Sequence, residues 1–542
     1  MSPRISAPRP AMVEEIILFL ALFVPFFMLV QPIIGASDSQ TFEIMKIKED
    51  TSSQFQMYRA VNRDGKMAYL NPDNFPVIRS SLRTYPQGSH GAMAVTGAPF
   101  TRDNRVIDEL RVYYVYFTLI YSSMIYFTVC LVAWQLRKTR VNVRLPLLTL
   151  VVLSVIVLLG MGLMPNLFIY GFYGQVYSYA SLLLLLYLGV VFMEQIRGDS
   201  KKGWLKSPEY LSLIGLASLG IVGSWYLLIP LAIPFFAPML IDFAKKRRIS
   251  IPVLLVLGLL LLTLSLFAIV YMIIAPSGAG HILTPGGVLQ LPVKLYWLAI
   301  PSALTLIYYL VRRNSTFVLW SAVSIIACLF SYAIARYQIA KIGHLDYYFY
   351  KSLFTILLVS VPLYGATLLR ESLTNSRSKK WVYGNASASA ISLLAICALM
   401  LAAGVNYKHT SSDISIYRNN SVFIKSKARQ ASRLNDLLDE RLYKQYSDAI
   451  YIGQCDAYLN FMGTIWAGSM FGHYDEVRSD IEWNVLRNDS TLVSQIIKHN
   501  KNVEAKYGKS LVVIDEGACQ ESTSTALEQA GIAVKKSAYT SN

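Results

Sequence analysis

Apolar runs of about 20 residues, separated by short polar stretches, recur from residue 16 to residue 404 and then stop. A helix rises about 1.5 Å per residue, so each run can cross a hydrocarbon core about 30 Å thick. Hydrocarbon offers no partner to backbone N–H and C=O groups, so a chain built this way must cross as helices. Composition agrees: 54% of the 542 residues are hydrophobic, 15% are charged and the mean hydropathy is +0.42, whereas a soluble domain carries about 25% charge. The predicted spans are 16–35, 111–135, 145–164, 175–196, 209–224, 227–244, 250–275, 293–311, 315–335, 349–370 and 383–404, about eleven crossings. The stretch 209–244 is too long for one upright helix and is broken near Gly223 and Pro230, so it reads as two short spans turning at Ser224 to Tyr226. Ile16 to Ile34, preceded by Glu14 and Glu15, exceeds a signal-peptide core and reads as a retained anchor.

The net charge of +17 lies in tight clusters between the apolar runs. These are Arg137 to Arg144, Arg197 to Lys206, Lys245 to Arg248, Arg312 with Arg313, and Arg370 to Lys380. Basic residues placed this way are topology signals rather than a nucleic-acid surface. With every cluster cytoplasmic, the chain is a multi-pass protein of the plasma (inner) membrane, its amino terminus cytoplasmic and its carboxyl tail outside. The outer face then receives a long loop at 36–110, shorter loops at 165–174, 276–292 and 336–348, and a tail after residue 404. All six histidines fall on that side.

Two domains follow: a transmembrane module, 1–404, that includes the extracytoplasmic loop 36–110, and an extracytoplasmic domain, 405–542. Ala449 to Gly453 and Leu511 to Asp515 resemble buried strands, and helical patterns occupy 424–443, 491–506 and 522–531, so the tail reads as a small α/β domain. Cys130, Cys328 and Cys397 sit in spans as small apolar residues. Cys455 and Cys519 follow the two strand-like segments, where an oxidising exterior favours a disulfide, the alternative being two separately buried thiols.

Several polar residues stand at the outer membrane boundary. Asp38, just past the first span, is placed either to take a proton from an attacking hydroxyl or to cap a short helix. Arg83 to His90 forms a proline-glycine turn that would set Tyr85 and His90 at a fixed angle. Asn166 to Gln175 is glycine- and aromatic-rich, and its Tyr173 and Gln175 suit a sugar ring or an interfacial belt. Around the tenth span lie Arg336, His344, Asp346, Tyr347 and Lys351. Ionisable groups this near hydrocarbon are costly, and a bound lipid phosphate would offset that cost; the alternative is a belt of tyrosines and snorkelling cations. No glycine-rich phosphate loop, paired-cysteine metal spacing or nucleophile-elbow pentapeptide is present.

The layout resembles the polytopic GT-C glycosyltransferases of the bacterial envelope, including the arabinofuranosyltransferase type. The likeness covers about residues 16–404. Its marks are the large loop after the first span, the turns Tyr85-Pro86-Gln87-Gly88-Ser89-His90 and Gly171-Phe172-Tyr173-Gly174-Gln175, and the segment Tyr347-Tyr348-Phe349-Tyr350-Lys351. The resemblance implies a polyprenyl-phosphate-linked sugar donor and a glycan, glycolipid or protein acceptor, with Asp38 as base and Lys351 and Arg336 on the donor phosphate. Many members carry two adjacent acids in the first outer loop, whereas Asp38 has no acidic neighbour; no cofactor is fixed by these residues, and a divalent metal, magnesium or manganese, is left open. Competing readings are a transporter or flippase of lipid-linked saccharide and a glycan-binding structural subunit.

Overall fold

The computed structural model describes residues 12–45, 49–67, 82, 85–100, 105–137, 141–160, 163–197, 208–235, 291, 293–312, 314–374, 450–452, 465–466, 468–470, 492–508, 510, 512–515 and 521–536. Five helices are long and apolar enough to cross a membrane: Val13–Ile33, Val106–Leu136, Tyr173–Met193, Thr316–Ile342 and Tyr347–Glu371. Shorter apolar helices cover Arg144–Gly160, Ser212–Ser224, Tyr226–Phe235 and Leu295–Val311. Each falls on a predicted span, and the chain is a helical membrane protein. The predicted spans 250–275 and 383–404 lie outside the described residues. Within 209–244 the helix does break, at Trp225, whose backbone swings to φ −147° and ψ 82°.

The chain divides into two compact units. One comprises Met1–Leu29, Thr118–Phe168 and Gln175–Ile424; the other comprises Val30–Phe117, Ile169–Gly174 and Lys425–Asn542.

The first unit is an assembly of apolar helices: α1 (Met12–Val30), most of α5 (Val106–Ala133), α6 (Val141–Gly160), α7 (Tyr173–Arg197), α8 (Pro208–Ser224), α9 (Ala299–Val311), α10 (Ser315–Ile342) and α11 (Tyr347–Thr374). Apolar surface alone does not bring helices together in hydrocarbon, so close packing and hydrogen bonds must. The α9, α10 and α11 helices pack in sequence and share a ladder of hydroxyls. Ser302 Oγ lies 2.7 Å from Ser324 Oγ and 2.6 Å from Tyr364 Oη, and Ser324 Oγ lies 2.5 Å from Ser360 Oγ. Trp320 donates to the Val359 carbonyl at 3.0 Å. At the amino end of α1, Glu14 pairs with Arg144 of α6, both side chains largely enclosed. Gly189 of α7 lets Phe235 approach so closely that a Cβ there would stand 2.5 Å from the ring.

The second unit holds α2 (Asp38–Met45), α3 (Glu49–Asp64), α4 (Gly88–Gly97), the start of α5, and parts of the tail. Strands β1 (Ile450–Ile452), β2 (Val512–Asp515) and β3 (Ala533–Lys536) form a parallel sheet in that order, with Ile450 opposite Val513 and Val513 opposite Val534. Helices α12 (Leu492–Tyr507) and α13 (Glu521–Gln529) accompany it. Parallel pairing needs a crossover, and α13 supplies one between β2 and β3. From the tail, fully buried Trp466 meets Phe42 at 5.4 Å edge-on and Phe55 at 6.2 Å.

Replacing Gly189 with alanine is expected to lower stability by about 1–3 kcal/mol, the ordinary cost of overpacking a tight contact. Thermal melting of the detergent-solubilised protein checks this, and an unchanged midpoint would show that the Phe235 ring yields without cost.

Candidate functional site

Asp38 opens α2, but the cap belongs to its neighbour. Ser37 Oγ accepts from the Gln40 amide at 3.2 Å, and Gln40 Oε1 accepts from the Ser37 amide at 3.0 Å, a reciprocal capping box. The Asp38 carboxylate is therefore free of capping duty, and two arginines take it. Arg105 Nη1 donates to Oδ2 at 3.2 Å and Arg111 Nη2 to Oδ1 at 2.9 Å. Asp108 engages the same two cations: Arg105 Nε at 2.8 Å and Arg111 Nη1 at 3.1 Å. Residues 105, 108 and 111 follow one another at i, i+3 spacing, so the start of α5 sets them along one stripe. Arg111 also donates to the Ala36 carbonyl at 2.9 Å, tying α5 to the chain leaving α1. The group is open to solvent, with Arg105 at 52% and Asp38 at 42% side-chain exposure. Exposed pairs of this kind contribute about 0.2–1 kcal/mol each. Of the two roles that the sequence leaves open for Asp38, the capping role passes to Ser37.

Deeper in the same unit lies His90, in α4. Its imidazole has no exposure, and neither ring nitrogen has a hydrogen-bond partner. Burial pushes its pKa down to about 3, so the ring is neutral at neutral pH. The Tyr173 ring stands edge-on to it at 5.4 Å, and the Tyr173 hydroxyl donates to the Ser89 carbonyl at 3.3 Å. Tyr113 and Phe117 flank Tyr173 at 5.5 and 5.6 Å. The turn carrying Tyr173 passes through Gly171 at φ +77°, where a side chain would also collide with Thr51. Tyr85 is half-buried in the turn before α4.

The remaining predicted site residues belong to the first unit. The α10 helix ends on Gly343, left-handed at φ +78°, and α11 begins after Asp346, whose carboxylate accepts from the Tyr347 amide at 2.7 Å. Gln338 Oε1 accepts from the Asp346 amide at 2.9 Å, so Asp346 serves the turn itself. His344 is exposed, with Nδ1 at 2.9 Å from the Ile342 carbonyl and Nε2 at 3.9 Å from Asp346. Lys351 is buried, its ammonium 4.1 Å from the centre of the Tyr347 ring and 5.7 Å from that of Tyr348. Gln175 donates to the Lys351 carbonyl at 3.0 Å and to Tyr179 at 2.8 Å. Arg336 lies on the exposed side of α10 with Tyr332 and Ile339, the position of a snorkelling cation.

A charged pair that the sequence did not single out sits at the centre of the second unit. Glu109 has no exposure, and Arg59 Nε reaches it at 2.5 Å, with Arg63 at 3.5 Å. Arg59 also donates to the Ser469 carbonyl at 3.4 Å. Its signal was present in Arg105-Val-Ile-Asp108-Glu109-Leu-Arg111, an unusual charge density at the entry to an apolar run. Among the described residues no group of three His, Cys, Asp or Glu is placed to hold a metal. Cys455 and Cys519 lie outside the described residues; Cys130 and Cys328 are free thiols. No protein-family model matches the chain, and no curated protein does.

Two outcomes follow from this geometry. An unfolded histidine takes up a proton near pH 6.5 while folded His90 resists it down to about 3. The unfolded state therefore binds more protons in that window, and stability falls with falling pH by up to about 1.4 kcal/mol per unit. His90→Gln is expected to flatten this slope in melts between about pH 7 and about pH 5; parallel slopes in the two proteins would refute it. Glu109→Gln strands Arg59 and is expected to cost about 3–5 kcal/mol, whereas exchanging both for apolar residues costs much less. A double-mutant cycle on melting midpoints measures the difference.

Proposed function

We propose that this protein transfers a sugar from a polyprenyl-phosphate donor to an extracytoplasmic glycan, glycolipid or protein acceptor. In this reading it crosses the plasma (inner) membrane about eleven times, with the amino terminus cytoplasmic and residues 405–542 forming an exported α/β domain. The observation that carries the proposal is the gathering of one carboxylate and two guanidiniums, Asp38 with Arg105 and Arg111, immediately beyond the end of the first apolar helix. A lipid-linked sugar presents its anomeric carbon and its phosphate at that depth.

The chemistry is a displacement at the anomeric carbon. The acceptor hydroxyl gives its proton to Asp38 as its oxygen bonds to that carbon. The bond from the anomeric carbon to the donor phosphate breaks, and its electron pair stays on the phosphate oxygen. Cations beside the phosphate stabilise that charge. The GT-C resemblance assigns this part to Lys351 and Arg336. Lys351 supports the assignment through its buried placement over the Tyr347 and Tyr348 rings. Tyr85, His90, Tyr173, Gln175, His344, Asp346 and Tyr347 remain the proposed contributors to substrate binding.

Purified protein incubated with labelled polyprenyl-phosphate sugars and envelope acceptors is expected to form product. Asp38→Asn is expected to slow transfer by about 10²–10⁴-fold with an unchanged melting midpoint. Full activity in that variant would remove the base. Substrate binding with no product from any donor would favour a transporter or a glycan-binding subunit.

A further inference from the structure

We propose that Arg105 and Arg111 form an anion-binding fork for the phosphate of a lipid-linked substrate, and that Asp38 occupies this fork until the phosphate displaces it. The inference rests on the transfer reading for the source of the phosphate, and it gives Arg105 and Arg111 the phosphate contact that the resemblance assigns to Lys351 and Arg336. The fork itself rests on geometry.

Each oxygen of the Asp38 carboxylate accepts from one arginine, Oδ1 from Arg111 at 2.9 Å and Oδ2 from Arg105 at 3.2 Å. Two guanidiniums converging on two oxygens of one planar group is the arrangement that recognises a phosphate. Asp38 thus stands where a phosphate would stand, as an internal substitute of lower charge. The arginines do not depend on Asp38 for their position. Asp108, in the first turn of α5, holds Arg105 just before the helix at 2.8 Å and Arg111 at 3.1 Å, and the Ala36 carbonyl and Thr41 hydroxyl fix Arg111 from the α2 side. Removing Asp38 from the fork therefore leaves both cations pointing at the space that it filled.

Exchange is also cheap. Arg105 and Asp38 are about half exposed, so water already weakens the pairs that must break. A phosphate brings more acceptor oxygens than a carboxylate to the same donors. Position adds selectivity, because Ile34, exposed at the end of the first apolar helix, lies just before Asp38. A phosphate that carries a prenyl chain can seat the chain against apolar surface while its head group enters the fork. The exchange would couple two events: donor arrival frees Asp38 from its arginines, so the base is released when there is a phosphate to serve.

The test is binding of farnesyl phosphate, with inorganic phosphate as the second probe, to the full-length protein in nanodiscs. Arg105→Gln and Arg111→Gln are each expected to weaken farnesyl phosphate binding by about tenfold. Asp38→Asn is expected to tighten it by about tenfold, because the internal competitor loses its charge, while transfer falls. A merely structural clasp gives no such gain. Unchanged or weaker binding in Asp38→Asn, with an unchanged melting midpoint, would overturn the fork. Should that variant fold poorly, arginine modification by phenylglyoxal in the wild-type protein decides: farnesyl phosphate should protect Arg105 and Arg111, and equal labelling with and without it refutes the proposal. Equal protection by inorganic phosphate would overturn the lipid-linked source. The predicted binding pattern without sugar transfer leaves the fork and removes the transferase; transfer without that pattern does the reverse.

Discussion

Arg59 and Glu109 form the interaction on which the second unit depends. A carboxylate with no exposure is tolerated only where a cation and further hydrogen bonds replace its water. That requirement fixes three segments at once: α3 through Arg59, the start of α5 through Glu109, and the tail through the Ser469 carbonyl. It also fixes the roll of α5 about its own axis. With Glu109 turned into the unit, the stripe of Arg105, Asp108 and Arg111 must face elsewhere, and it meets Asp38. The buried pair and the exposed square are thus two faces of one helical turn.

The membrane helices were legible because hydropathy is summed over some 20 residues, and no local exception can mask it. Even the break at Trp225 followed from length and from Gly223 and Pro230. The second unit was far harder to read. Helix α3 is polar, with Thr51, Ser52, Gln54, Gln56 and Arg59 among its residues, yet all of these are buried. Periodicity predicts such a helix at a surface, and only tertiary partners explain its burial. Trp466 gave no signal for the same reason, since its partners, Phe42 and Phe55, lie hundreds of residues away.

The site residues show a similar division. Asp38 was visible from its position after the first span, but its arginine partners were hidden as ordinary charges at the edge of the next one. Asp346 and His344 drew attention as ionisable groups near hydrocarbon, and local backbone geometry accounts for Asp346: it starts α11 just after Gly343 ends α10. Lys351 retains its interest as a buried ammonium resting on two tyrosine faces. His90 is unusual in the opposite sense, being an ionisable group that the fold keeps uncharged by enclosure.

The bond from Arg59 to Ser469 spans 410 positions of the chain. During synthesis at about 5–20 residues per second, α3 emerges on the order of tens of seconds before residues 465–470 exist. Throughout that interval Phe42 and Phe55 lack the indole that completes their packing, and Arg59 lacks one of its acceptors. The first loop must therefore persist as an unfinished core while most of the membrane helices are still being inserted. Its packing is completed only when the ribosome reaches the far end of the message, so a chain terminated before residue 466 leaves Phe42 and Phe55 without their indole partner.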